Sequence, residues 1–140
     1  WIQPRRIPGV LDDKITGIAI QDTFLYLCGY FKGYLDEVPN RLSTNSSTWW
    51  DGFCIKKTLS GGTVWARQTL TNSNILIYDL AVSENELVLA GTFIDTLRID
   101  NRTVIEEGAL NSFIWQLDTE GNTRALNILK SIFLIEKSFH

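Results

Sequence analysis

Apolar positions along this chain come in short runs broken by turn residues, and no segment keeps an apolar stripe at helical spacing. The runs Ile15 to Ile20, Phe24 to Phe31, Gly52 to Thr58 and Thr63 to Leu70 are rich in aromatic and β-branched residues and predict four strands. Four more strands are predicted to open at Ile77, Glu86, Ser112 and Thr123. Gln21, Asp22 and Thr23 form one hairpin connection, and Ser83, Glu84 and Asn85 another. Ser60, Gly61 and Gly62, with Glu120, Gly121 and Asn122, supply residues that tolerate positive φ in tight turns.

The pattern repeats. Residues 15–35 lie over residues 77–97 without a gap: Ile15, Ala19, Leu25, Leu27, Gly29, Phe31 and Leu35 recur as Ile77, Ala81, Leu87, Leu89, Gly91, Phe93 and Leu97. After a variable loop, Phe53, Gly61 and Thr63 recur as Phe113, Gly121 and Thr123. Self-similarity at this period marks an array of supersecondary units, each unable to bury its apolar surface alone. Trp1 stands before Ile15 much as Trp65 stands before Ile77, a trace of a preceding copy.

The runs FLYLCGYF and LVLAGTF are nearly continuous in apolar character, so both faces of these strands are expected to be buried. An antiparallel, hairpin-rich sheet covered on both faces describes a β-propeller blade between two neighbours. The fold class expected is therefore all-β, with two four-stranded antiparallel propeller blades and partial flanking strands. Residues 1–14 read as an outer strand of a preceding blade and a linker, 15–70 as blade one, 71–130 as blade two, and 131–140 as the start of a further blade. Gly29 and Gly91 are expected where a side chain would collide with the next blade or where the strand bends. Two blades make less than a ring, so a longer polypeptide or several copies of the chain must complete it. A chain that opens on Trp1 and contains no Met favours the first.

Composition narrows the function classes. Seven Phe, five Trp and four Tyr suit a packed β protein, and 44% apolar residues argue against disorder. A net charge of −3 supplies no cationic field for nucleic acid, and no apolar run is long enough to cross a bilayer as a helix. Cys28 and Cys54 lack zinc-site spacing and read as small buried hydrophobes, with a bridge as the alternative. The single histidine, His140, is terminal, which removes His-based nucleophilic catalysis.

The motif Gly29-Tyr30-Phe31-Lys32-Gly33-Tyr34-Leu35, then Asp51-Gly52-Phe53-Cys54-Ile55-Lys56, then Gly61 or Gly62 and Trp65-Ala66-Arg67-Gln68, resembles the bacterial propeller repeats known as SBBP repeats. The second copy departs from it, with Asn111 for the Asp, Gln116 for the Lys and Ala125 for the Trp. The resemblance implies a secreted or cell-surface bacterial protein, an expectation about location more than chemistry. The function expected is a non-enzymatic binding or scaffold module making protein contacts through blade loops, with a carbohydrate-binding propeller completed by several chains as the alternative. A weaker likeness to quinoprotein propeller repeats brings none of their cofactor-binding residues, so no cofactor is expected.

Against this background few residues speak of chemistry. The acidic neighbours Asp36 and Glu37, Asp95 and Asp100, and Glu106 and Glu107 read as solvated loop acids, and Asp118 to Asn122 as a turn rather than a calcium loop. No catalytic or metal residue is expected. Trp65 returns with the period and reads as packing, whereas Trp49 and Trp50 align with Ala109 and Leu110 and follow a polar loop. Such a non-recurring aromatic pair suits a protein partner or a glycan, the latter making a lectin-like propeller. Tyr30 and Tyr34, replaced by Thr92 and Thr96, are secondary contact candidates. Asn45 and Asn101 begin glycosylation-type triplets.

Overall fold

The computed structural model describes residues 13–37, 40–44, 48–71 and 73–129. These residues form ten strands and no helix: β1 (Asp13–Gln21), β2 (Phe24–Phe31), β3 (Tyr34–Glu37), β4 (Asn40–Ser43), β5 (Asp51–Thr58), β6 (Thr63–Gln68), β7 (Ile75–Val82), β8 (Glu86–Ile99), β9 (Arg102–Asp118) and β10 (Thr123–Leu129). Sheet one runs β1-β2-β5-β6 and sheet two β7-β8-β9-β10, while β3 and β4 form a separate hairpin. Every pairing is antiparallel. Trp1 and the segment 131–140, expected to flank the two units, lie outside the described residues.

The repeat holds at the level of register. Ile15 stands opposite Gly29 and Gly29 opposite Phe53, and Ile77 stands opposite Gly91 and Gly91 opposite Phe113. Bulges fall at matching places, between Ile15 and Gly17 and between Ile77 and Asp79 in the first strands. A second pair lies between Lys56 and Lys57 and between Thr123 and Ala125. Gly61 and Gly121 adopt φ of 103° and 87° in the tight turns, as their sequence context predicts. The reason for Gly29 is local rather than inter-unit. A Cβ there would sit 1.8 Å from the Lys14 carbonyl oxygen on the bulged β1 and 2.9 Å from the Phe53 ring. Gly91 repeats the arrangement with the Leu76 carbonyl at 2.4 Å and Phe113 at 2.8 Å.

The loop between the second and third strands of each unit is more ordered than its sequence suggests. In unit two it is absorbed into the sheet: β8 continues to Ile99 and β9 begins at Arg102, with Asp95 opposite Glu106 and residues 107–109 looped out. In unit one the corresponding residues form the β3–β4 hairpin, where Leu35 faces Leu42. Leu35 and Leu97 are both fully buried, so the identity of these two residues reflects packing.

The two sheets pack face to face. Tyr26, Cys28, Cys54 and Trp65 of unit one join Ile75, Ile77, Leu80, Leu89, Phe93, Phe113 and Trp115 of unit two in one apolar cluster. Thr16, the extra residue of the β1 bulge, donates a hydrogen bond of 2.6 Å to the Ile77 carbonyl. Gly52 leaves room for Ile77, whose Cδ1 would lie 2.6 Å from a Cβ at that position. Lys56 Nζ and Trp65 Nε1 both donate to the Thr119 carbonyl, at 2.9 and 3.1 Å, and Arg67 Nε donates to the Gly121 carbonyl at 2.9 Å. Unit one thus grips the β9–β10 turn of unit two. Leu27, Phe31, Leu35, Leu42, Phe53, Ile55 and Ala66 make a second cluster on the other face of sheet one.

The two apolar runs differ in one respect from their prediction. In β2, Tyr26 to Gly29 are buried consecutively, so both faces are covered. In β8, buried Leu87, Leu89, Gly91 and Phe93 alternate with half-exposed Val88, Ala90 and Thr92. Val88 and Ala90 are the repeat mates of Tyr26 and Cys28, which unit two covers in unit one. At the opposite end of the pair, Ile18 and Ile20 are 61% and 60% exposed, while their mates Leu80 and Val82 pack into the inter-unit cluster.

Candidate functional site

The loop in which the two copies disagree lies at one end of sheet one. Tyr30, near the end of β2, stands opposite Gly52 in register, and Trp50 occupies the space beside it. Their rings meet edge to face, 5.0 Å apart at 87°. Lys32 Nζ lies 4.4 Å above the Trp50 ring. The Trp50 backbone is fixed from outside its own unit: its N–H donates to Asn74 Oδ1 at 3.0 Å and its carbonyl accepts from Ile75 N at 2.9 Å. Asn74 also accepts from Ile94 N through its carbonyl, so one residue of the linker ties the Trp50 loop to unit two.

Tyr34 belongs to a second small cluster on the β3–β4 hairpin. The Arg41 guanidinium lies 4.4 Å over its ring and makes a two-point contact with Asp36, at 2.6 and 3.1 Å. Arg41 is therefore held above its already high ordinary pKa, first by the hydrogen bonds it donates to Asp36 and then by the charge of that carboxylate. Trp49 projects from the loop, 37% exposed. The structure thus joins Tyr30 with Trp50, joins Tyr34 with Arg41, and leaves Trp49 on the surface. Lys32, Arg41 and Asn74 escaped the sequence reading. Lys32 and Arg41 carry a signal in retrospect, since each is a cation within a few residues of an unmatched aromatic.

The acidic candidates take structural parts. Asp95, at φ 71°, accepts from Gly108 N and from the Thr96 hydroxyl, stabilising the looped-out residues opposite it. Asp100, at φ 54°, accepts from the Thr123 hydroxyl at 2.6 Å. Asp118 Oδ1 accepts from the backbone of Glu120 and Asn122, the geometry of a turn. Burial pushes its carboxyl up, but hydrogen bonds from Asn122 and Glu120 outweigh that and hold it below the usual range. Among the described residues, no three His, Cys, Asp or Glu side chains group as a metal site. Asn101 is exposed at a turn, and Asn45 lies outside the described residues.

No family model matches the chain, and no curated protein matches it. The functional reading therefore rests on the geometry.

The different settings of the two tryptophans make a stability prediction. Trp50→Ala removes a ring packed against Tyr30 and Lys32 and should cost about 1–3 kcal/mol, while Trp49→Ala should stay within about 0.5 kcal/mol of the parent. Urea titrations of the two variants followed by circular dichroism check this, and equal costs would show that Trp49 is a packing residue.

Proposed function

We propose that the chain is a pair of β-propeller-type blades acting as a non-enzymatic scaffold and binding module of a secreted or cell-surface protein. Further blades of the same kind flank it, either in one longer polypeptide or from other copies. A protein partner meets the loop around Trp49 and Trp50. The observation that supports the scaffold role is the inequality of repeat mates. Leu80 is buried and Val82 partly buried in the inter-unit cluster, whereas Ile18 and Ile20 stand exposed on the equivalent face. An interface of this head-to-tail kind uses a different surface on each partner, so it extends to further units until the rotation closes.

Continuity with the interface already present argues for another unit of the same fold as the occupant. Val88, Ala90 and Ile114 sit half-exposed where Tyr26, Cys28 and Cys54 sit buried. Gln116 and Ala125 replace the Lys56 and Trp65 of the grip, so the outer face of unit two suits a neighbour whose turn is held differently. Sedimentation of the isolated chain at micromolar concentration should show association, reduced by Ile18→Lys with Ile20→Lys. A compact, monodisperse 15.9 kDa species in the parent would overturn the scaffold reading.

For the partner, the clusters favour protein over glycan. Sugar stacking needs an open aromatic face, but Lys32 lies over Trp50 and Arg41 over Tyr34. Aromatic side chains beside Arg or Lys, with Trp49 exposed, match the composition of protein-interface anchors. A glycan array gives the contrary outcome: binding lost on Trp49→Ala would establish the lectin-like reading instead.

A further inference from the structure

We propose that Cys28 and Cys54 form a disulfide across β2 and β5 when the chain folds under oxidising conditions, closing the loop that carries the Trp49 and Trp50 cluster. The two cysteines are present as free thiols and are direct partners in the β2–β5 register. Their pairing type follows from neighbouring bonds. Gly52 directs both backbone groups towards Thr69, its N–H to the Thr69 hydroxyl at 2.8 Å and its carbonyl to Thr69 N at 3.0 Å. On the other side, Leu59 N donates to the Thr23 carbonyl, across the pair that continues the β2–β5 register. Odd-numbered residues of β5 therefore bond to β2, and even-numbered ones, Cys54 included, do not.

Cys28 and Cys54 thus form a non-hydrogen-bonded antiparallel pair. In such pairs the Cα atoms are about 4.5 Å apart and the side chains lie on one face, close together. That separation falls at the short end of the range a disulfide spans, roughly 4.4–6.8 Å. Both side chains lie on the face that unit two covers, and both are 0% exposed. Formation of the bond joins the two sulfurs and releases two protons, while two electrons pass to a low-molecular-weight disulfide, which is reduced to two thiols.

Burial determines when the bond forms. It pushes the Cys28 thiol up to about 11 and raises Cys54 as well, so neither is a ready thiolate in the folded chain. Thr16 and Gly17 also lie against Cys28 Sγ from β1. An oxidant reaches the pair before sheet two docks, and the docked sheet then shields the product. The bond encloses residues 29–53, which include β3, β4, Trp49 and Trp50. It would restrict the unfolded freedom of the partner-contact loop, whatever that loop binds.

The test is refolding of the full chain from urea in a mixture of oxidised and reduced glutathione, beside refolding in excess reductant. The oxidised product should be 2 Da lighter, give a Cys28–Cys54 linked peptide on digestion, and keep the near-ultraviolet circular dichroism of the reduced chain. Its urea midpoint should lie above that of the reduced chain. The reduced, folded chain should react with a thiol reagent at least tenfold more slowly than it does in urea. Two free thiols after oxidative refolding, cross-linked dimers only, or an oxidised monomer that fails to regain the reduced chain's spectrum would each overturn the proposal.

Discussion

At pH 8 the Asp51→Asn variant should be more stable than the parent by about 2 kcal/mol or more, with the gain vanishing near pH 4. Asp51 opens β5 and is 1% exposed, and its Oδ1 meets no hydrogen-bond donor among the described residues. Burial alone pushes its carboxyl from 3.8 up to about 8. Below the ordinary value, folded and unfolded chains both carry the proton and no penalty arises. Between the two values the unfolded chain is ionised while the folded chain keeps its proton. The folded state then binds more protons, so stability falls as pH rises through this window. Above about 8 both are ionised, and the penalty is complete.

A full shift of this size corresponds to about 6 kcal/mol, and local relaxation of the ionised site reduces what is measured. The second unit already carries the substitution: Asn111 occupies the matching position and is also buried, 4% exposed. Urea midpoints of parent and variant at several pH values isolate the Asp51 contribution by difference. A difference that stays flat between pH 4 and pH 8 would show that the carboxyl is not held protonated.

Much of the fold was legible because the sequence wrote it twice. A residue such as Gly29 has many explanations alone, but Gly29 and Gly91 facing Phe53 and Phe113 admit few. The hairpins that join β1 to β2, β5 to β6, β7 to β8 and β9 to β10 followed from their turn residues, which are local signals. The β3–β4 hairpin and the extension of β8 and β9 were hidden because polar, charge-rich strands at a sheet's end carry little periodicity. The face of Val88 and Ala90 was misjudged for a different reason. A run apolar enough to be buried on both sides says nothing about which neighbour provides the cover.

At the candidate site, the aromatics could be picked out by their failure to recur. Their partners could not, because Lys32 over Trp50 depends on where β2 ends, and Asn74 reaches Trp50 only once unit two has docked. The cysteine pair shows the same limit. Its spacing along the chain is uninformative, and only the β2–β5 register makes Cys28 and Cys54 direct neighbours.

Among the described glycines compared for space, Gly29→Ala is expected to be the most damaging alanine substitution, costing about 3 kcal/mol or more. Gly29 does not need a positive φ, so the cost is one of space alone. The new Cβ would stand 1.8 Å from the Lys14 carbonyl oxygen, a backbone atom that cannot rotate aside, with the Phe53 ring at 2.9 Å on the other flank. Relief requires opening the β1–β2 pairing at its bulge, and β1 is one of the strands that packs against unit two through Thr16. Gly91→Ala should follow with a smaller cost, because its nearest backbone atom, the Leu76 carbonyl, lies at 2.4 Å. Gly61→Ala separates space from conformation. Its φ is 103° and nothing lies within 4 Å of a new Cβ, so only the left-handed strain of about 1–2 kcal/mol applies. Urea titrations of the three variants should rank them Gly29, Gly91, Gly61. A Gly29→Ala chain as stable as Gly61→Ala would mean that β1 is not clamped by the bulge, and the register shared by the two units would lose its physical cause.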